Sequence, residues 1–313
     1  MTDNKKPCNS TPAIRLGRGK SQESLNLISA SHTILAEIQP ATVRAVCYRL
    51  FILKLIPAMS RAATGKISKL LVGAREQGVI PWNWIVDETR EAERISSWEN
   101  PAEIIDAAVR GYRKDYWASQ PEWVEVWSEK GTIRGTLAPV LKEYGVTFRV
   151  MHGYGSATSL HGIAEETANC NKPLTVLYVG DWDPSGLNMS EVDIPGRLGR
   201  YGGHARIIRV ALDESDVTDD TKLPWFEAET KEKDPRFKWF SERYGKRCWE
   251  LDALSPVILR QRVEANIRLL LDEYAWDRAI EVEAVERDSM SVILTAWKKS
   301  ISRLDAKYSE GMQ

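Results

Sequence analysis

Between residues 23 and 77 apolar positions recur at helical spacing. Leu25, Leu27 and Ile28 are followed by Ile34, Leu35 and Ile38, a period that predicts an amphipathic helix. Pro40 is placed to open a second helix near its first position. The segment behind it, ATVRAVCYRLFILKLI, is strongly apolar and ends near Pro57. A third helix is predicted over TGKISKLLVGAREQG, with Thr64 as its cap and Gly78 at its C-terminal end. Three short helices followed by the compact GVIPWNWIVD suggest a helix-turn-helix or winged-helix unit. A further helical stretch is expected over 91–118, clearest in NPAEIIDAAVRGY.

Near residue 122 the period changes. EWVEVWS alternates and stops at Glu129, and GTLAPVLKEYG reads as a helix closed by Gly145. VTFRVMHG is a strand, SATSLHGIAEETANC a helix, and LTVLYVG a continuous apolar run of the kind buried on both faces of a sheet. DPSGLNMSEVDIPGRLGRYG then gives a loop and helix, and HARIIRVAL a fourth strand. Strands alternating with helices imply a parallel sheet covered on both sides. The expected fold class is therefore α/β. A winged-helix-like helical domain over 23–118 precedes a Rossmann-like, mostly parallel domain over 119–313, whose sheet spans 119–215 and whose last third is helical. Residues 213–248 read as irregular, with an acidic start at Asp213, Glu214, Asp216, Asp219 and Asp220.

Composition narrows the picture only a little. The net charge of -1 over 313 residues announces no global basic field, so a nucleic-acid surface would have to be a local patch. Residues 1–22 carry Lys5, Lys6, Arg15, Arg18 and Lys20 against Asp3 and read as a disordered basic tail. The four cysteines, Cys8, Cys47, Cys170 and Cys248, show no CxxC spacing, which points away from a zinc or redox pair and fits a reducing cytoplasm. No apolar run approaches the ~18 residues of a membrane span, and the N-terminus lacks a secretory signal pattern. The 12 tryptophans are expected in cores and domain contacts.

The chemistry lies at the strand ends. In open parallel sheets, ligands sit beyond the carboxyl ends of the strands. Glu129 ends the first strand of this unit, and Asp181 and Asp183 follow the third, with Pro184 and Gly186 supplying a turn. Three carboxylates on neighbouring strands would repel one another, so a divalent cation or a raised pKa is expected. Hard oxygen donors suit Mg2+ (or Mn2+). The plain alternative is that DWDPSG is only a turn.

Ser128-Glu129-Lys130-Gly131 and Gly180-Asp181-Trp182-Asp183-Pro184-Ser185-Gly186 resemble the two signatures of the TOPRIM domain. The arrangement is most similar to the topoisomerase VI A subunit and its meiotic double-strand-break relative, in particular to small stand-alone A-subunit-like proteins of bacteria, plasmids and phages. Arg44-Ala45-Val46-Cys47-Tyr48 resembles that family's nucleophile pattern, with Cys47 where an aromatic residue is usual, and Trp249-Glu250-Leu251-Asp252-Ala253-Leu254 is similar to a segment near its C-terminus. The resemblance implies Glu129 as acid/base or metal ligand, Asp181 and Asp183 as Mg2+ ligands, and Tyr48 as the nucleophile of a DNA-cleaving isomerase-type reaction. It further implies double-stranded DNA as partner, a homodimer in which tyrosine and metal come from different subunits, a nucleoid-associated cytoplasmic place, and an ATPase on a separate subunit. No GxxxxGK[ST] loop is present in this chain.

Arg44 and Tyr48 are four residues apart and share a helix face. A nearby guanidinium would lower the phenol's pKa, ordinarily about 10, and could bind phosphate with two hydrogen bonds. The alternative is a core tyrosine on an apolar helix. Arg75, Arg90, Lys130 and Ser156 are candidate DNA contacts, and His152 and His161 candidate phosphate-positioning residues; salt bridges and helix caps are the simpler readings. Three functions stay open: a DNA transesterase, a hydrolytic TOPRIM nuclease without a tyrosine nucleophile, and a DNA-binding module without catalysis.

Overall fold

The computed structural model describes residues 21–86, 96–151, 157–221, 223–228 and 232–310, the last seven by backbone alone. Its N-terminal part is a helical cluster. Helix α1 (Gln22–Ile38) starts at Ser21, whose hydroxyl accepts from the Ser24 N–H. Thr42 caps α2 (Val43–Ile52) by accepting from the Ala45 N–H at 3.1 Å, so Pro40 sits in the turn before the helix rather than opening it. Ser60, not Thr64, caps α3 (Arg61–Glu76); the Thr64 hydroxyl instead donates back to the Ser60 carbonyl inside the first turn. Leu35, Val46, Leu50, Ile67, Leu71 and Ile80 are fully buried where the three helices meet. Each such aliphatic side chain contributes roughly 1.5–3 kcal/mol of burial. The strand-like feature of this unit among the described residues is one parallel bridge, Ala41 to Ile85. Helix α4 (Pro101–Gly111) follows, capped by Asn100.

The second half is built on four parallel strands in the order β2-β1-β3-β4. They are β1 (Trp123–Ser128), β2 (Thr147–Val150), β3 (Leu174–Val179) and β4 (Ala205–Ala211). Helix α5 (Ile133–Tyr144) connects β1 to β2 and ends at Gly145, whose φ of 62° is the left-handed conformation that glycine adopts without strain. Helix α6 (Ala157–Asn169) precedes β3. After β3 the chain runs through α7 (Pro184–Asn188), a π-helical turn at Met189–Asp193 and α8 (Ile194–Arg200) before β4. This is an α/β architecture compatible with a Rossmann-like domain.

Both faces of the sheet are covered. Val124, Val126, Leu177 and Val179 pack on one side with Leu137 of α5 and with Leu259 and Val263 of α10 (Pro256–Leu270). Trp127, Val176 and Tyr178 pack on the other with Leu160 of α6 and Leu198 of α8. All six residues of β3 are buried, as its continuous apolar run predicts. The alternation of β1 suggests one wet face, yet Glu125 is fully buried. Its carboxylate accepts from Arg149 of β2 at 2.6 and 3.0 Å and from the Trp127 indole at 2.6 Å, and that paired charge is what permits a polar residue inside a central strand.

Residues 213–248 are more ordered than the irregular stretch expected. They hold an antiparallel pair, β5 (Phe226–Glu227) with β6 (Arg247–Cys248), and α9 (Phe237–Tyr244), all too short to leave a periodic signal. Within the acidic run, Asp216 is buried and paired with Arg262 at 2.6 Å. Helix α11 (Glu273–Glu310) ends the described chain. Arg260 of α10 donates to the carbonyls of Ile38, Gln39, Pro40 and Thr136, tying the end of α1 to the sheet unit. No helix among the described residues is long and apolar enough to cross a membrane. Trp117, Trp127, Trp182 and Trp249 are buried, whereas Trp82, Trp98 and Trp225 are exposed, so the tryptophans are only partly the core residues expected.

Candidate functional site

Strands β1 and β3 are neighbours in register, with Ser128 opposite Val179. Glu129 and Asp181 therefore leave the sheet side by side, and the Asp181 N–H points to Glu129 Oε1 at 3.4 Å. The turn after β3 is tight. Asp183 caps α7 by accepting from the Gly186 N–H at 2.7 Å, and a Cβ on Gly186 would stand 2.4 Å from the Asp181 carbonyl. Only glycine fits there. Burial pushes the Glu129 carboxyl up to about 7, and the charges of Asp181 and Asp183 push the same way against the counter-effect of Lys130. Burial likewise raises Asp181, against Lys130 and the Leu251 N–H, which both stabilise its charged form.

Lys130 joins this site to a second acidic segment. Its ammonium pairs with Asp181 Oδ1 at 2.7 Å and with Asp252 Oδ2 at 3.0 Å. Burial disfavours its charge, but Asp252 and Asp181 outweigh that and the pKa ends above the ordinary lysine value. Lys130, a candidate DNA contact by sequence, is thus an internal counter-ion. The 249–254 segment runs along the DWD turn: Trp182 and Trp249 exchange two backbone hydrogen bonds at 2.9 and 3.0 Å, and the Leu251 N–H donates to Asp181 Oδ1 at 2.7 Å.

Arg209, near the end of β4, supports the turn from behind. Its buried guanidinium donates to the carbonyls of Gly180, Asp181, Gly186 and Leu212 and to the Ser190 hydroxyl. Desolvation lowers its pKa. Nothing in the local sequence of β4 marks it; only the strand order brings it to the DxD loop.

Tyr48 lies on the buried face of α2, 5% exposed. The Arg44 guanidinium is 5.7 Å from the centre of its ring but is engaged by Glu250, with Nε to Oε2 at 2.8 Å, and reaches Asp252 at 3.5 Å. The expected depression of the phenol pKa does not occur. Burial first, then the charge and hydrogen bond of Glu250, push Tyr48 above its ordinary value, and Arg44 offsets only part. Asp252 accepts from Thr42 and Lys130 and pairs with Arg44, so the helix bearing Tyr48 is linked through shared ion pairs to Asp181 of the same chain.

The remaining candidates scatter. Arg75 stacks on Trp82, 4.2 Å from a ring centre, and donates to its carbonyl. His161 pairs with Glu165 at 3.5 Å on the surface of α6. Arg90, His152 and Ser156 lie outside the described residues. A cavity of about 880 Å³ opens well apart, beside Tyr112, Tyr144, Trp276 and Arg287; Arg113 on its wall is spent on the carbonyls of Lys142 and Glu143 that end α5.

Glu129, Asp181 and Asp183 supply hard oxygen donors whose mutual repulsion a divalent cation would relieve, which suits Mg2+ in kind. As the side chains stand, no three His, Cys, Asp or Glu residues among those described are gathered closely enough to hold an ion. Asp183 is turned to its cap and Asp181 to Lys130 and Leu251. Comparison with protein-family models, with curated proteins and with solved structures finds no match to this chain.

Proposed function

We propose that the chain is a Mg2+-dependent DNA-binding and DNA-cleaving protein of the topoisomerase VI A type, in which Tyr48 forms a tyrosyl–phosphate link to DNA. The observation that carries this reading is the placement of Glu129 and Asp181 at the carboxyl ends of adjacent central strands, where burial first, and then the charges of Asp181 and Asp183, raise Glu129. Such clustering of like charge is a cost to stability and a mark of a working site. Glu129, Asp181 and Asp183 would hold Mg2+ or Mn2+, and the metal would neutralise charge on the phosphate. Arg209 and the Asp183 cap keep the turn in place, and Lys130 holds Asp181. Double-stranded DNA is the substrate, a second copy of the chain the expected partner, and any ATPase a separate subunit. The winged-helix assignment of the helical unit and a nucleoid-associated place belong to the same proposal.

A second reading, hydrolysis at the acidic site with Tyr48 structural, is favoured by the burial of Tyr48 and the pairing of Arg44 with Glu250. Supercoiled DNA incubated with the chain and Mg2+ or Mn2+, then treated with detergent and protease, separates the two. The transesterase gives protein-linked breaks that vanish in Tyr48→Phe and in Asp181→Asn. Free ends produced equally by Tyr48→Phe would establish the hydrolytic reading. No cleavage with any metal would leave a DNA-binding module.

A further inference from the structure

We propose that Arg44 forms a binding site for a DNA backbone phosphate which the chain keeps occupied with its own Glu250, so that the phosphate enters by displacing that carboxylate. This rests on the DNA-binding part of the reading above and holds for either mode of cleavage.

The Arg44 guanidinium lies 5.7 Å from the centre of the Tyr48 ring, and its side chain is 44% exposed, so a ligand can reach it from solvent. Two carboxylates meet it. Nε and Nη2 both donate to Glu250 Oε2, the first at 2.8 Å, and Nε lies 3.5 Å from Asp252 Oδ2. The two acids differ in what holds them. Asp252 also accepts from Lys130 at 3.0 Å and from Thr42 at 3.3 Å, and its side chain is 3% exposed, so it stays in place. The Glu250 side chain is 24% exposed and paired with Arg44. The backbone on either side of it is pinned, by the paired bonds of Trp249 with Trp182 and by the Leu251 N–H on Asp181. Exchange therefore needs rotation of one side chain and no movement of the segment. Geometry favours the phosphate. Both guanidinium nitrogens now converge on a single carboxylate oxygen, whereas a phosphodiester offers two oxygens to the fork. Charge favours displacement over addition. Arg44 already faces Glu250 and Asp252, and Lys130 faces Asp181 and Asp252, so a phosphate arriving on top of them would meet like charge. An ion pair as exposed as Arg44–Glu250 is weak enough to be exchanged. Glu250 is thus a built-in competitor: it excludes small anions and yields to a phosphate that a whole duplex holds in register.

The test measures affinity of the full chain for a short fluorescent duplex by anisotropy, in EDTA so that no cleavage intervenes, at physiological ionic strength. Wild type, Glu250→Gln, Arg44→Ala and the double variant are compared. Glu250→Gln should bind about three- to tenfold more tightly, because the phosphate no longer competes with a carboxylate. In the Arg44→Ala background the same change should alter affinity by less than about twofold, since the guanidinium being contested is gone. A second measurement follows the Arg44 ¹⁵Nε resonance, assigned by its loss in Arg44→Ala. It should differ between free wild type and free Glu250→Gln, and the two should converge once duplex is added, because both then face phosphate. Unchanged or weaker binding by Glu250→Gln would overturn the proposal. So would equal tightening in both backgrounds, which is the general effect of removing one negative charge, or resonances that stay apart on DNA. If neither wild type nor Glu250→Gln binds duplex, the DNA reading itself fails and this inference with it; wild type that binds but does not respond to Glu250→Gln overturns the inference alone.

Discussion

Replacing Glu129 by Gln should make the metal-free protein more stable at pH 8 and leave it unchanged at pH 4. Folding raises this carboxyl to about 7 from an ordinary value of 4.5. Between those values the folded chain binds a proton that the unfolded chain has released, so stability falls as pH rises through the window and the loss is complete above it. A shift of that size corresponds to about 3 kcal/mol. Because Glu129 is coupled to Asp181 and Asp183 and retains partial contact with water, about 2–3 kcal/mol is the expected penalty. The amide keeps the shape and removes the charge, so the variant's stability should decline less than the wild type's over pH 4.5–8. For a chain of this size that corresponds to roughly 3–5 °C in Tm at pH 8. Urea unfolding in EDTA at several pH values measures it. Added Mg2+ should restore the wild type, by about 2.7 kcal/mol at a hundredfold excess over Kd, and do much less for the variant. A variant less stable at pH 8, or a difference independent of pH, would refute the claim that burial beside Asp181 and Asp183 raises the Glu129 carboxyl.

Three other outcomes follow from the same geometry. Lys130→Met strips Asp181 and Asp252 of a shared cation, and since Asp181 keeps the Leu251 N–H and Asp252 keeps Arg44 and Thr42, the loss should be about 2–3 kcal/mol in urea unfolding; a change under about 1 kcal/mol would show that the pair contributes little. Gly186→Ala places a methyl 2.4 Å from the Asp181 carbonyl and should cost about 1–3 kcal/mol and displace the DxD turn, visible as shifts of the Asp181 and Gly180 amides in NMR spectra; an unperturbed spectrum would mean the turn has slack. Chelation with EDTA should remove DNA cleavage and Asp181→Asn should prevent its recovery on adding Mg2+, while full recovery in that variant would move the metal elsewhere.

The elements and the acidic residues were legible along the chain because their signals are local. Helical spacing marked α1 to α3, the run LTVLYV marked a strand buried on both faces, and a parallel sheet places Glu129, Asp181 and Asp183 at one edge whenever β1 and β3 are neighbours. Even local signals failed where competing cap residues were close together, as with Ser60 taking the cap expected of Thr64 and Thr42 capping the helix that Pro40 was expected to open. What only the tertiary structure decided was the partnering of charges. Lys130 reads as a surface cation until Asp252, far along the chain, closes on it; Arg44 reads as the activator of Tyr48 until Glu250 takes its guanidinium; Arg209 reads as one residue of a strand until the order β2-β1-β3-β4 carries it behind the Asp181 turn. Hydrophobic period is a property of a few consecutive residues, whereas the sign and size of an electrostatic effect depend on which distant groups share the same low-dielectric volume, and that is set only when the helical unit and the sheet pack together.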